Sequence, residues 1–184
     1  RPGDMLITYT GSFAVLQLAG ERAALVVDES SRLVMQADRL TQKRGRVYYD
    51  VQKKAVQGQL VETDFATLGV KGTRFIVLAL ESPPTEDETQ YGERGRVSLA
   101  EGELQVTSPD EPYELKGFDD FKASHLAEFE RFKERQQREF AAFKQSFTLQ
   151  AGHSVDFAGR EARGARLGAN DKARFTRYQA LLGE

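Results

Sequence analysis

Three copies of one eleven-residue unit constrain this 184-residue chain more than any other feature. Phe118 and Phe121 are followed by Lys122, Phe129 and Phe132 by Lys133, and Phe140 and Phe143 by Lys144, with Phe147 a turn further on. Eleven residues make close to three turns at 3.6 residues per turn, so each pair of rings returns to nearly the same helix face. Residues 118–150 contain no Gly or Pro, which leaves that helix unbroken. Asp119 and Asp120 stand where a helix N-terminus favours acids, and Gly152 supplies a C-terminal stop. The spacing therefore predicts an amphipathic helix over 118–152, about 50 Å long at about 1.5 Å per residue.

Those rings need a dry neighbour, because burying each is worth about 1.5–3 kcal/mol. A compact domain of about 115 residues is only about 35 Å across, so a straight helix of this length overhangs it. A kink, the C-terminal tail or a second copy of the chain would cover the remainder. Phe118, Phe121, Phe129, Phe132, Phe140, Phe143 and Phe147 are thus the candidate partner-binding residues, with Leu126 beside them and Gln136 and Gln137 interrupting the stripe. Adsorption to a membrane surface is the minority reading: helices of that kind carry a strongly basic polar face. Here Asp119, Asp120, Glu128, Glu130, Glu134 and Glu139 balance Lys122, Arg131, Lys133, Arg135, Arg138 and Lys144.

Before the helix, from Met5 to about Val106, short β-forming runs alternate with turn residues. They include 5–9, 13–18, 24–27, 33–35, 47–51, 59–63, 73–80, 96–99 and 103–106. The run 73–80 is apolar at nearly every position and belongs in the middle of a sheet. Such a rhythm predicts a mainly β fold, either a two-layer β-sandwich or a roll- or solenoid-like coil of short strands. The expected units are a β-domain over 1–117, the long helix over 118–152 and a basic tail over 153–184. In that tail Asn170 and Asp171 cap a short helix with Phe175, Tyr178 and Leu182 on one face.

Little in the chain points to catalysis. It has no Cys, which removes thiolate nucleophiles, disulfides and Cys-based metal sites. His125 and His153 lie far apart with no carboxylate at metal-ligand spacing from both; they read as a helix-surface and a loop residue. Lys71-Gly72-Thr73 resembles the end of a phosphate-binding loop, but β-forming residues follow it rather than a helix. A net charge of −2 excludes the basic footprint of a nucleic-acid binder. The expectation is a protein without catalytic, cofactor-binding or metal-binding residues. Charge is unevenly spread, though. Residues 81–114 hold ten Asp or Glu against Arg94 and Arg96, whereas 153–184 hold six Lys or Arg against four acids. The simplest use of that asymmetry is the tail folding back on its own β-domain.

The first hundred residues resemble the FecR domain. Gly3-Asp4, Leu6 and Thr8 match the start of that family, followed by Gly11-Ser12, Ala14, Leu16 and Leu18. Ser31, Leu33 and Met35 continue the match, and Gly45 leads the strand Arg46-Val47-Tyr48 with Asp50-Val51. Gly69-Val70-Lys71-Gly72-Thr73-Arg74-Phe75 is the most specific piece, and Val97 to Val106 closes the match, which covers about 2–106. Gly3, Asp4, Thr8, Gly45, Gly69, Gly72, Thr73 and Phe75 are its structural signature.

The resemblance implies a periplasmic sensory or signalling module of the bacterial cell envelope, with a signal or anchor segment expected upstream of Arg1. Its partners would be envelope proteins, with a homo-oligomer through the long helix and no nucleic acid. The alternative is an assembly component of an envelope complex whose Phe-striped helix mediates oligomerisation or docking. On the sequence alone, Gly72 supplies a backbone geometry that a residue with a Cβ resists, so Gly72→Val lowers the melting temperature markedly. An unchanged melting temperature removes that account.

Overall fold

The computed structural model of the chain describes residues 3–18, 23–36, 38–52, 59–70, 72–81, 93–116, 145–159 and 161–183. Its N-terminal strands are β1 (Met5–Ile7), β2 (Ala14–Leu18), β3 (Ala23–Val27), β4 (Arg32–Met35) and the thirteen-residue β5 (Arg39–Val51). There follow β6 (Gln59–Glu62), β7 (Thr67–Val70), β8 (Arg74–Ala79), β9 (Glu93–Glu101), β10 (Glu103–Thr107) and β11 (Glu114–Lys116). The C-terminal part supplies β12 (Ser146–Gln150), β13 (His153–Ala158), β14 (Glu161–Arg166) and the helix α1 (Ala169–Leu182).

All fourteen strands belong to one curled, mostly antiparallel sheet. Its main path runs β11-β14-β13-β9-β8-β5-β6-β7-β10-β12. Two separate sandwich layers do not form, because β5 belongs to both halves. Residues 39–44 pair with β4 and β6, and residues 45–51 pair with β3 and β8. The mainly β expectation holds, while the sandwich gives way to a sheet wrapped around one core.

The wrap depends on a corner that three chain segments turn together. Gly45 sits mid-strand in β5 with φ +89°, a left-handed conformation that side chains resist. A Cβ there would come within 2.1 Å of the Ser31 Oγ, so only hydrogen fits. Ser31 also accepts a hydrogen bond from the Arg46 N–H at 3.1 Å and donates to the Arg46 carbonyl at 3.3 Å. From the neighbouring segment, the Thr8 hydroxyl donates to the Asp28 carbonyl at 2.6 Å and accepts from the Ser31 N–H at 3.0 Å. Gln42, fully buried, donates to the carbonyls of Gly45 at 2.8 Å and Val77 at 3.1 Å and accepts from the Tyr49 hydroxyl at 2.9 Å. Backbone groups that the bend takes out of the ladder are thereby satisfied.

Side chains alternate across the pleat as strand geometry requires. Leu25, Val27, Val47, Tyr49, Phe75, Val77, Val97, Leu99, Val155 and Phe157 point inward and meet Val61, Leu68, Leu104 and Leu149 from the other half. Tyr49 stacks on Phe75 at 4.7 Å between ring centres. On the opposite face of the sheet, Val26, Tyr48 and Ile76 form a second cluster with Phe175 and Tyr178 of α1. The strand 74–79 is indeed central, lying between β5 and β9.

Two expectations are corrected here. The spacing predicts a helix through residue 152, yet 146–150 form β12, antiparallel to β10 with Phe147 opposite Val106. Phe147 is therefore buried in the common core, edge-on to Tyr113 at 5.8 Å, and is not a partner-binding ring. Helical spacing from Phe143 to Phe147 coincided with the start of a strand, and period alone does not separate the two at an element's end. Gly152, read as a helix stop, sits in the β12–β13 turn with φ +84°. The tail is likewise not an appendage: β13 pairs with β9 along its whole length and β14 pairs with β13 and β11. The remainder of the predicted helix, 118–144, lies outside the described residues. As β12 belongs to the core, Phe147→Ala costs about 3–5 kcal/mol of stability. Urea denaturation measures this, and a change below about 1 kcal/mol would return Phe147 to the surface.

Candidate functional site

Two features of the surface can carry function: a charged saddle where α1 meets the sheet, and the free edge formed by β1 and β2. The saddle follows from the outward positions of the central strands. β5 presents Arg46, β8 presents Ile76 and Leu78, β9 presents Arg96 and Ser98, and β13 presents Asp156. α1 lies across them because Phe175 and Tyr178, three apart on one helix face, fill the apolar part of the same surface. Its N-terminus is set by Gly168, whose N–H donates to the Asp171 carboxylate at 3.4 Å, and Gly183 ends it with φ +83°.

Of the saddle's acids Asp28 and Asp171 are buried and Asp156 is half-buried, and each meets cations. Asp28 accepts a 2.5 Å hydrogen bond from the Tyr178 hydroxyl and lies 3.6 Å from Arg46 and 3.7 Å from Arg177. Asp171 lies 3.7 Å from Arg96 and 3.5 Å from Arg174. Arg96 grips Asp156 with two nitrogens, Nη2 donating to Oδ2 at 2.7 Å and Nε to Oδ1. Burial first, and the Asp28 carboxylate second, push the Tyr178 hydroxyl well above the ordinary phenol range, so it remains a donor. Next to this cluster is a cavity of about 260 Å³ lined by Arg46, Leu78, Leu80, Arg96, Asp156 and Arg174. Its arginines already face carboxylates, and the chemistry available is clamping of the helix.

This clamp corrects the charge expectation. The tail does fold onto its own β-domain, but the described contacts run both ways: Arg96, from the acidic stretch, holds Asp156 and Asp171 of the basic tail, while Arg177 of the tail faces Asp28. Net charge per segment conceals which individual residues face each other.

The second feature is an edge. β1 pairs with β4 and β2 with β3, and among the described residues neither has a strand on its other side. Leu6, Ala14, Leu16 and Leu18 turn inward against the core, whereas Met5, Ile7, Phe13 and Val15 turn outward. Tyr9, in the turn between the two strands, is exposed as well. Sequence reasoning placed these strands but passed over their outward residues; the signal was present as an uncharged stretch from Met5 to Gly20.

The signature residues prove architectural. Thr8 and Gly45 meet at the corner through Ser31. Gly3 and Asp4 extend the β1–β4 pairing, the Gly3 N–H donating to the Met35 carbonyl at 2.6 Å and the Met35 N–H to the Asp4 carbonyl at 2.9 Å. Gly69 lies in β7 between β6 and β10, Gly72 has φ +65° just ahead of β8, and Thr73 and Phe75 are buried. Phe118, Phe121, Phe129, Phe132, Phe140, Phe143 and His125 lie outside the described residues. His153 opens β13 opposite Leu99, where a loop was expected. Among the described residues no three His, Asp or Glu side chains converge as metal ligands, and no helix is long and apolar enough to cross a membrane.

The sequence matches no protein-family model and no curated protein. The fold, however, has counterparts among solved structures. Two crystal structures of a candidate anti-sigma factor from Parabacteroides distasonis ATCC 8503 share it, each with a TM-score of 0.59 at 13% identity. The likeness covers 94% of this chain and 64% of the other, so this chain spans less than two thirds of that protein's crystallised length.

The clamp makes stability sensitive to alkali. An unfolded tyrosine ionises near pH 10, whereas Tyr178 keeps its proton in the folded chain, so its contribution is complete below about pH 10 and is lost as pH rises beyond it. Tyr178→Phe should cost about 1–2 kcal/mol at pH 7 and make the decline between pH 9.5 and 11 shallower (about these limits). Urea unfolding across that range checks it; a parallel decline in both proteins rules the clamp out as the cause.

Proposed function

We propose that this chain is a non-catalytic regulatory module of the FecR type, acting in the bacterial periplasm by contact with other proteins. The observation that carries the reading is the β1–β2 edge, which gathers Met5, Ile7, Tyr9, Phe13 and Val15 on an uncharged border with no further strand beside it among the described residues. Monomeric proteins seldom leave such an edge bare, and exposed apolar borders mark sites of strand addition. A non-catalytic role is supported by the saddle, where carboxylates and arginines satisfy one another and hold α1.

A signalling role is supported by the fold shared with the candidate anti-sigma factor and by the FecR-like residues Thr8, Gly45 and Gly72, which stand at turning points of the sheet.

Deletion of the gene from its host, followed by transcript sequencing, tests the proposal. The regulatory reading expects a small group of operons to change together and to recover when the gene is restored. Unchanged transcription under envelope stress and metal limitation overturns it in favour of an envelope assembly component. Protease accessibility in spheroplasts tests the location: the periplasmic reading expects digestion without lysis, and protection until lysis contradicts it.

A further inference from the structure

We propose that the β1–β2 edge is a self-association surface, on which β2 pairs antiparallel with β2 of a second copy of this chain about a two-fold axis. This inference goes beyond the regulatory reading and stands independently of it. Three observations converge on the edge. First, β1 and β2 are each hydrogen-bonded on one side only among the described residues, so a row of backbone donors and acceptors faces outward. Second, the exposed large apolar side chains of the described residues all sit on this ribbon, from Ile7 at 43% exposed to Tyr9 at 75%. Third, the sixteen residues from Met5 to Gly20 contain no charged residue in a chain that is 29% charged.

The third observation selects the occupant. Free edges in monomeric β-proteins are guarded by charged side chains or prolines, and from Met5 to Gly20 this ribbon has none of those guards, Asp4 standing only at its outer end. A strand added here finds no ion partner, so charge complementarity calls for a strand that is itself neutral and alternately apolar. The same edge of a second copy meets that requirement. With the two-fold axis at Val15, an antiparallel pair sets Val15 against Val15, Ala14 against Leu16 and Phe13 against Gln17, close meetings that like charges would forbid and that this ribbon permits. Val15 and Phe13 of the two copies then form one apolar strip on the outer surface. The β3–β2 half of one sheet continues into β2–β3 of the other, and Met5 and Ile7 flank the junction.

The test uses the full chain. Sedimentation velocity over a range of concentrations should show a reversible monomer–dimer equilibrium. Val15→Lys brings two like charges together across the axis and should weaken dimerisation at least tenfold, with an unchanged far-ultraviolet circular dichroism spectrum. Because the chain has no cysteine, Val15→Cys introduces its sole thiol, and mild oxidation should link two chains in high yield. A wild-type chain that stays monomeric up to about 100 μM, a concentration at which even weak association is populated, overturns the proposal. So does a dimer that forms equally well with Val15→Lys, which would place the contact elsewhere, the Phe-repeat segment included. Should Val15→Lys fail to fold, absence of cross-linking in Val15→Cys alone refutes the pairing.

Discussion

A single backbone conformation, the left-handed turn at Gly45, allows β5 to serve both halves of the sheet. Without it the strand would continue straight and the residues of 39–44 could not face those of 45–51 across a common interior. The neighbouring chain adapts to the same corner: β3 gives way to β4 over residues 28–31, and β1 to β2 over residues 8–13. Ser31, Thr8 and Gln42 supply the hydrogen bonds that the turning backbones can no longer give one another. Both surface features follow from this corner. Its inner strands present the saddle that α1 occupies, and its outermost ribbon has no further strand beside it among the described residues.

Much of the sheet was legible in the sequence because half-buried strands write their period directly. The runs at 5–9, 13–18, 24–27 and 73–80 correspond to β1, β2, β3 and β8, and Tyr178 with Phe175 marked the buried face of α1. Gly72 was also legible, since a glycine ahead of a β-branched and aromatic run has few other uses. By contrast β13 and β14 were obscured by Gly159, Gly164, His153 and several charges, which composition assigns to loops. Their pairing with β9 and β11 is a matter of distant contacts, which local propensity does not encode. Phe147 was misplaced because its spacing from Phe143 fits a helix turn, while its partner Val106 lies far away in sequence.

The candidate surfaces were harder to read for a different reason. An ion pair depends on which side chains meet, and the charge totals of two segments suggested the opposite polarity from the one that Arg96, Asp156 and Asp171 adopt. The edge was missed because apolar residues at 5, 7, 13 and 15 look like core until topology shows that, among the described residues, no strand pairs beyond them. Exposure of that kind costs solubility, and its persistence in an otherwise well-charged protein is the physical ground on which a contact role is proposed. The saddle complements this: it fixes α1 and so keeps the sheet that bears the edge in one shape.

Hydrogen exchange measured amide by amide bears most directly on the central claim, that N- and C-terminal strands form one cooperative unit closed around the bent β5. The account expects amides of β5, β8, β9 and β13 to exchange together in the slowest class, opening only with global unfolding. If instead β13 and its neighbours open at a distinctly lower free energy than β5 and β8, the C-terminal strands are an independent addition and the corner at Gly45 does not govern the whole.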